Sequence, residues 1–456
     1  MKPVAITLGL VAGLVGLVVA ARAARARETG PVASPPKEGS TAGVLAPPAS
    51  TGPLAAPAGD EPEGPVLVPP PSPKALRYYR SGNAIWAFEQ LLGLALPALL
   101  LFSGLSARLR TLAASIGRGH LYPTLAITLA LLWVVLFVVQ LPLDYYVGYA
   151  REHAYGLSTQ RFAKWATDQL KGLALGLIVG AAVIWVPYLL LARSPSRWWL
   201  WTGALSLPFF TLVLLVTPVF IAPLFNKFGP MKDKALESQI LATSARAGVE
   251  GARVYEVDKS IDTQKVNAYV TGVGRTKRIV LWDTLLARLS PRQSRFVVGH
   301  ELGHYVLGHV VVSIFVSTAL VLLGLYGVHR TAGALLGRFG GTFGFTRISD
   351  PASMPLFMLL LSLFSLVISP AMLALSRYHE HEADRFGLEL THDNHAAATA
   401  FVALQQQNLA NPRPGWLYKV FRASHPPIGE RVDFINGYRP WERGEPGRYA
   451  DRIRPQ

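Results

Sequence analysis

The sequence predicts a mainly α-helical, polytopic membrane protein with a small α+β domain set between its spanning helices. Three observations carry this. Of the 456 residues, 51% are hydrophobic and 16% charged, against roughly 25% charged in an average soluble domain. Six apolar segments lie at about 84–104, 121–147, 170–192, 198–223, 310–329 and 353–375. Each reaches or exceeds the ~20 residues a helix needs to cross the hydrocarbon core. A polar stretch, 224–299, separates the fourth from the fifth. Core helices of a water-soluble protein would account for one or two such segments, but not for the whole set.

An apolar run at 4–20 follows Lys2 and is followed by Arg22, Arg25 and Arg27. A cleaved signal peptide has a similar shape. The run is also long enough for a marginal span, and the basic residues behind it favour a retained anchor over residues 1–27, with its C-terminal side in the cytoplasm. Residues 28–73 are rich in Pro, Gly, Ala and Ser and end in PVLVPPPSPK. Such a stretch cannot bury a core and reads as a disordered or semi-extended linker. With the anchor there are seven spans, so 224–299 and 376–456 share one side of the membrane. Both are dense in Arg and Lys, which makes that side the cytoplasm.

The 44 basic against 28 acidic residues give a net charge of +16. The basic residues are spread among the loops between apolar runs, as membrane topology requires. No Arg/Lys stripe interleaved with aromatics marks a polar domain, so nucleic acid is not an expected partner. The chain has no cysteine, which excludes disulfides and thiolate metal sites. Any metal must sit on His, Asp or Glu.

Within the polar stretch, SQILATSARAGV reads as a helix. RVYEVD and RIVLWD read as short strands, with KVNAYVTG between them. Ser290 is an N-cap and Pro291 the first residue of the next helix. That helix is expected to run unbroken through VVGHELGHYVLGH into the fifth apolar segment. It carries His300-Glu301-Leu302-Gly303-His304. Residues four apart share a helix face, so the two imidazoles can converge on one metal ion. Glu301 is rotated by about 100° and stands beside the ion, where it can take a proton from water. An ordinary polar helix end is the bland alternative. Two His and a Glu at the membrane-proximal end of an apolar helix are costly, however, unless paired or liganded.

A third ligand is needed. In the extended pattern HExxHxxGxxH, Leu307 stands at the Gly position and Val310 at the last His. His309 is one residue early, about half a turn out of phase with His300. It is expected to face elsewhere, as a headgroup or loop residue. The better source is SRYHEHEAD, residues 376–384, after the last apolar segment. On a helix Glu380 and Asp384 share a face and Glu382 points away. Spacing alone leaves His379, Glu380, His381 and Glu382 all open as the ligand. A carboxylate that orients a ligand His is also expected, and Asp384 can serve.

HELGH, the downstream SRxxExxAD-type motif and a late SHPP resemble the type I CAAX prenyl endopeptidases. LPLDYYVGYAREHAYGLSTQ, PLFNKFGPMKD, KVNAYVTGVGRTKRIVLWDTLL and SHPPIGERV resemble segments of that family in the same order, over roughly residues 74–440. Residues 28–73 do not fit the family pattern. The resemblance implies about seven transmembrane helices enclosing a chamber, plus a small α+β zinc-protease domain. It implies one Zn2+ per chain on His300, His304 and Glu380, with Asp384 behind the ligands and Glu301 as the general base. It places Asn267 and Tyr269 on an edge strand that pairs with the substrate backbone. It gives His425 a hydrogen bond to the developing oxyanion and Arg431 a supporting polar role.

The expected partners are a peptide or protein substrate, prenylated at its C-terminus or not, and membrane lipid. The Ala/Arg/Gly/Pro-rich composition and signal-like start point to a bacterial inner membrane, with the catalytic region on the cytoplasmic side. A quality-control zinc protease of the membrane shares this chemistry and is the nearest rival. An intramembrane-cleaving class would need an Asp ligand from within a span, and 353–375 holds no Asp or Glu. A channel or transporter would need charges along the spans, and apart from Glu89 they carry almost none.

Overall fold

A computed structural model describes residues 64–272 and 276–455. The expected anchor, and the linker up to residue 63, lie outside the described residues. The last stretch of the linker, 64–72, has no regular structure, yet it is docked. Val66 donates its N–H to Asn436 Oδ1 at 3.1 Å, and its carbonyl accepts from Asn436 Nδ2 at 2.9 Å. Gln405 Nε2 donates to the Pro69 carbonyl at 2.9 Å. Val66 and Val68 pack against a core that includes Phe401 and Val432.

The main helices that follow are α1 (Pro73–Phe102), α2 (Leu105–Ile116), α3 (Leu121–Tyr145), α4 (Phe162–Val183) and α5 (Trp198–Val216). Two long helices come after the polar domain, α8 (His309–Phe343) and α9 (Met354–Thr391). Among the described residues, six helical stretches are long and apolar enough to cross a membrane: Pro73–Phe102, Leu121–Ala154, Phe162–Arg193, Trp198–Leu224, His309–Phe343 and Pro351–Thr391. Each of the six apolar segments falls in one of them. Only 17–33% of each apolar window is buried inside the protein, so most of this surface needs lipid to cover it. The buried remainder meets in one core, with Leu101, Leu125, Ile184, Trp198, Leu325 and Phe357.

The polar domain holds a four-stranded sheet in the order β1-β2-β4-β3. Its strands are β1 (Phe228–Pro230), β2 (Arg253–Val257), β3 (Ala268–Thr271) and β4 (Arg278–Trp282). β2 and β4 are parallel, and the outer pairs antiparallel. The helix α6 (Lys234–Arg246), capped by the Asp233 side chain on Leu236 N, links β1 to β2. β4 is central and almost wholly buried, and β3 is an edge strand. β1 has three residues, too few for any periodicity to announce it.

The helix α7 (Pro291–Val306) starts with a capping box between Ser290 and Gln293. It does not run on into the membrane. Gly308, at φ 69°, takes the left-handed conformation after Leu307, and α8 begins afresh at His309. Such a residue ends a helix as a C-terminal cap does, and it corrects the expectation of one unbroken helix. α10 (Asn394–Gln407), α11 (Trp416–Phe421) and α12 (Ile428–Gly437) complete the chain's main elements.

Two features position the site. First, α7 and α9 approach closely through small residues. A Cβ on Gly387 would lie 3.0 Å from His300 N, and one on Gly303 would lie 3.1 Å from Ala383 Cα. Second, the segment leading to β3 is tied to the membrane helices. Gln264 N donates to the Leu157 carbonyl at 2.9 Å. Lys265 Nζ pairs with Glu152 at 2.7 Å, their side chains 1% and 8% exposed. It also donates to the Tyr78 hydroxyl at 3.0 Å.

Candidate metal centre

The site lies where α7 crosses the C-terminal half of α9. His300 and His304 present Nε2 to each other at 3.2 Å. Glu380 on α9 completes a triangle: Oε2 is 3.4 Å from His300 Nε2, and Oε1 is 3.5 Å from His304 Nε2. These donor atoms all lie within 4.8 Å of one another. Two facing imidazole nitrogens cannot satisfy each other unless one is protonated, and Glu380 Oε2 is buried without a well-formed hydrogen bond among the described residues. Two nitrogen donors and one carboxylate, with a side left open, make the donor set of a catalytic metal site. The residues fit a divalent cation.

Behind the triangle, Asp384 is fully buried. Its Oδ1 faces His300 Nδ1 at 2.9 Å. Arg431 on α12 grips the same carboxylate in two-pronged fashion, Nε to Oδ2 at 2.8 Å and Nη2 to Oδ1 at 2.6 Å. The guanidinium lies 3.9 Å from the centre of the Phe401 ring. Burial works against the Arg431 charge, but Asp384 holds its pKa above the ordinary arginine value. Burial likewise lowers the His300 pKa on its own, and Asp384 and Glu380 outweigh it, pushing the imidazole up to about 10. The field at this point favours positive charge, the condition a bound cation needs.

His425, just before α12, turns Nε2 to Glu380 Oε1 at 3.1 Å and Nδ1 to Ser424 Oγ at 2.9 Å, with 42% of its side chain exposed. It therefore stands on the open side of the triangle. Glu301 is half-buried next to His300 and close enough to act on Arg431. β3, whose free edge points away from β4, packs against α7. Tyr269 lies within it opposite Val280. Burial pushes the Tyr269 phenol up to about 12, against a lowering by Arg278, so it stays a neutral donor. Asn267 is exposed just before the strand, and its side chain accepts from Ala268 N at 3.0 Å.

Of the residues that spacing left open, Glu380 reaches the two histidines, and the others turn away. His381 lies over Phe434, with ring centroids 4.3 Å apart. Glu382 binds Arg385 and Tyr449. His379 stacks on His309. His309 itself corrects an expectation: it is 7% exposed and its Nδ1 lies 3.0 Å from His304 Nδ1. The half-turn offset computed along a continuous helix does not apply, because the chain bends at Gly308. Sequence reasoning also passed over the close helix packing. Its signal was there, in Gly299/Gly303 on α7 and Ala383/Gly387 on α9, both small residues four apart.

Comparison with known proteins adds to this geometry. Residues 230–439 match peptidase family M48, and residues 73–227 match the family described as CAAX prenyl protease N-terminal, five membrane helices. The chain is 39% identical over 295 residues to the uncharacterized metalloprotease YhfN of Bacillus subtilis, covering 65% of this chain and 69% of that protein. It is 28% identical over 341 residues to CAAX prenyl protease 1 of Saccharomyces cerevisiae, covering 70% and 74%. The crystal structure of S. mikatae Ste24p superposes with a TM-score of 0.70 at 25% sequence identity, covering 79% of this chain and 87% of that one.

Proposed function

Because this chain belongs to peptidase family M48 and is a membrane metalloprotease of the Ste24 type, we propose that it is a zinc endopeptidase acting on C-terminally prenylated peptides. The observation that carries this reading is the triangle of His300, His304 and Glu380 with Glu301 one residue away. An imidazole-rich, thiolate-free set with a carboxylate suits zinc. When bound, zinc supplies Lewis acidity to the scissile carbonyl and lowers the pKa of a water toward ~7.

The protein's own groups do the rest. Glu301 takes a proton from the attacking water and returns it to the leaving amine. Asp384 accepts from Nδ1–H of His300 and so keeps its Nε2 bare for the metal. Arg431 keeps Asp384 ionised and in place. His425 donates a hydrogen bond to the oxyanion as it forms. The free edge of β3, with Tyr269 in it and Asn267 at its start, lays the substrate out as an added strand. The density of Arg and Lys around these elements supports a cytoplasmic face on a bacterial inner membrane, with lipid as the neighbour of both enzyme and substrate.

The test uses the purified full chain in detergent with three substrates: a prenylated CaaX peptide, its unprenylated form, and an unfolded protein. The prenylated peptide is expected to be cut fastest. Digestion of the unfolded protein with the prenylated peptide left intact would instead mark a quality-control protease. Glu301→Gln is expected to keep its zinc and to lose about 10²- to 10⁴-fold in cleavage rate. Normal turnover by that variant would remove Glu301 as the base.

A further inference from the structure

The two imidazoles of the metal group are oriented by different partners. His300 rests on a carboxylate, Asp384. His304 turns Nε2 toward His300 and Glu380, which leaves its Nδ1 facing outward from the triangle. That atom lies 3.0 Å from Nδ1 of His309. His309 is 7% exposed. Its ring lies flat on that of His379, with centroids 4.2 Å apart and planes 5° from parallel. We propose that His309 is a positioning residue for His304, held in place by His379.

The chemistry follows from tautomers. A histidine that binds a metal through Nε2 carries its proton on Nδ1, and that N–H needs an acceptor. The His304 side chain is only 22% exposed, and a donor so shielded from water is costly to leave unmade. His309 meets the need as a neutral imidazole with its proton on Nε2 and its Nδ1 lone pair toward His304. The left-handed Gly308 makes this possible, because it folds the first residue of α8 back over the end of α7. His379 immediately precedes Glu380 on α9. The stack therefore ties the start of α8 to the turn of α9 that carries the third donor, and three helices share the orientation of one imidazole.

The inference rests on the reading of His300, His304 and Glu380 as the metal ligands. The full chain in detergent is titrated with zinc against a chromophoric chelator, and the visible spectrum is recorded with Co2+ in place of zinc. His309→Leu is expected to weaken zinc binding about 10- to 100-fold and to change the Co2+ spectrum. His309→Gln, whose side-chain carbonyl can accept the bond, should recover most of the affinity. His379→Phe preserves a stacking ring and should bind zinc nearly as the parent does, and His379→Ala should bind it less tightly. Zinc affinity and a Co2+ spectrum unchanged in His309→Leu would overturn the proposal. So would weak binding shared equally by the Leu and Gln variants, because a packing role alone predicts no rescue. Full zinc retention by His304→Ala would instead sink the ligand assignment beneath it.

Discussion

Two glutamates stand two residues apart on α9 and do opposite things. Glu380 turns to His300 and His304. Glu382, 3% exposed, is bound by Arg385 and the Tyr449 hydroxyl, with Arg448 at 3.4 Å. The 100° step of the helix separates them by more than half a turn. Glu380→Ala is therefore expected to lose bound metal while keeping the fold, as metal content per chain after desalting will show. Glu382→Ala is expected to keep its metal and lose stability, because Arg385 and the Tyr449 hydroxyl lose their acceptor, read as an earlier unfolding midpoint. The reverse pattern would move the ligand to Glu382. The same residue-scale logic explains Arg431: without it, Asp384 would be a buried carboxylate with only a histidine to face.

At the scale of elements, the metal group exists because α7 and α9 nearly touch. Gly303 and Gly387 leave no room for a side chain. Gly303→Val or Gly387→Val is expected to push the helices apart and weaken zinc binding at least tenfold in a chelator competition. Gly327, on α8 with nothing within 4 Å of an added Cβ, is the control. Gly327→Ala should leave metal binding unchanged and add about 0.4–1 kcal/mol of stability. The edge strand has its own anchor in the buried Lys265–Glu152 pair. Lys265→Met removes the ammonium from this buried pair, while Arg151 still acts on Glu152, and is expected to lower the unfolding midpoint. Because Lys265 lies two residues before Asn267, kcat/KM for a peptide substrate should fall while metal content holds. Unchanged kinetics in a folded variant would separate this anchor from substrate binding.

For the molecule as a whole, a metal held between α7 and α9 links two long stretches of chain, one in the polar domain and one rising from the last span. A ligand that binds only the folded state stabilises it by about 4 kcal/mol at a thousandfold excess over its Kd. Chelator is expected to lower the thermal midpoint of the parent protein and to leave that of His300→Ala unmoved. Equal chelator effects on both would place the metal elsewhere. The docked stretch 64–72 adds a second link of the same kind, from the start of α1 to α10 and α12.

Lipid imposes a coarse rule, and coarse rules are legible in a sequence. About twenty apolar residues must run together wherever a helix crosses, so the six described spans could be marked from composition alone. The HExxH pair was legible because positions four apart share a face of any helix, as was the N-cap at Ser290. The donor from α9 was not: four residues in SRYHEHEAD offered ligand atoms, and only the packing of α9 on α7 turns Glu380, rather than its neighbours, toward His300. His309 faces His304 rather than away from it, because phase along a helix can be counted only while the helix lasts. The left-handed turn at Gly308 ended it one residue too soon. Local pattern thus determined the spans, the helix and the two histidines. Tertiary contact decided which carboxylate meets them, what orients each imidazole, and which strand lies open beside them, because those outcomes depend on residues far apart in the chain, 47 to 131 positions in the contacts around Asp384 and His300.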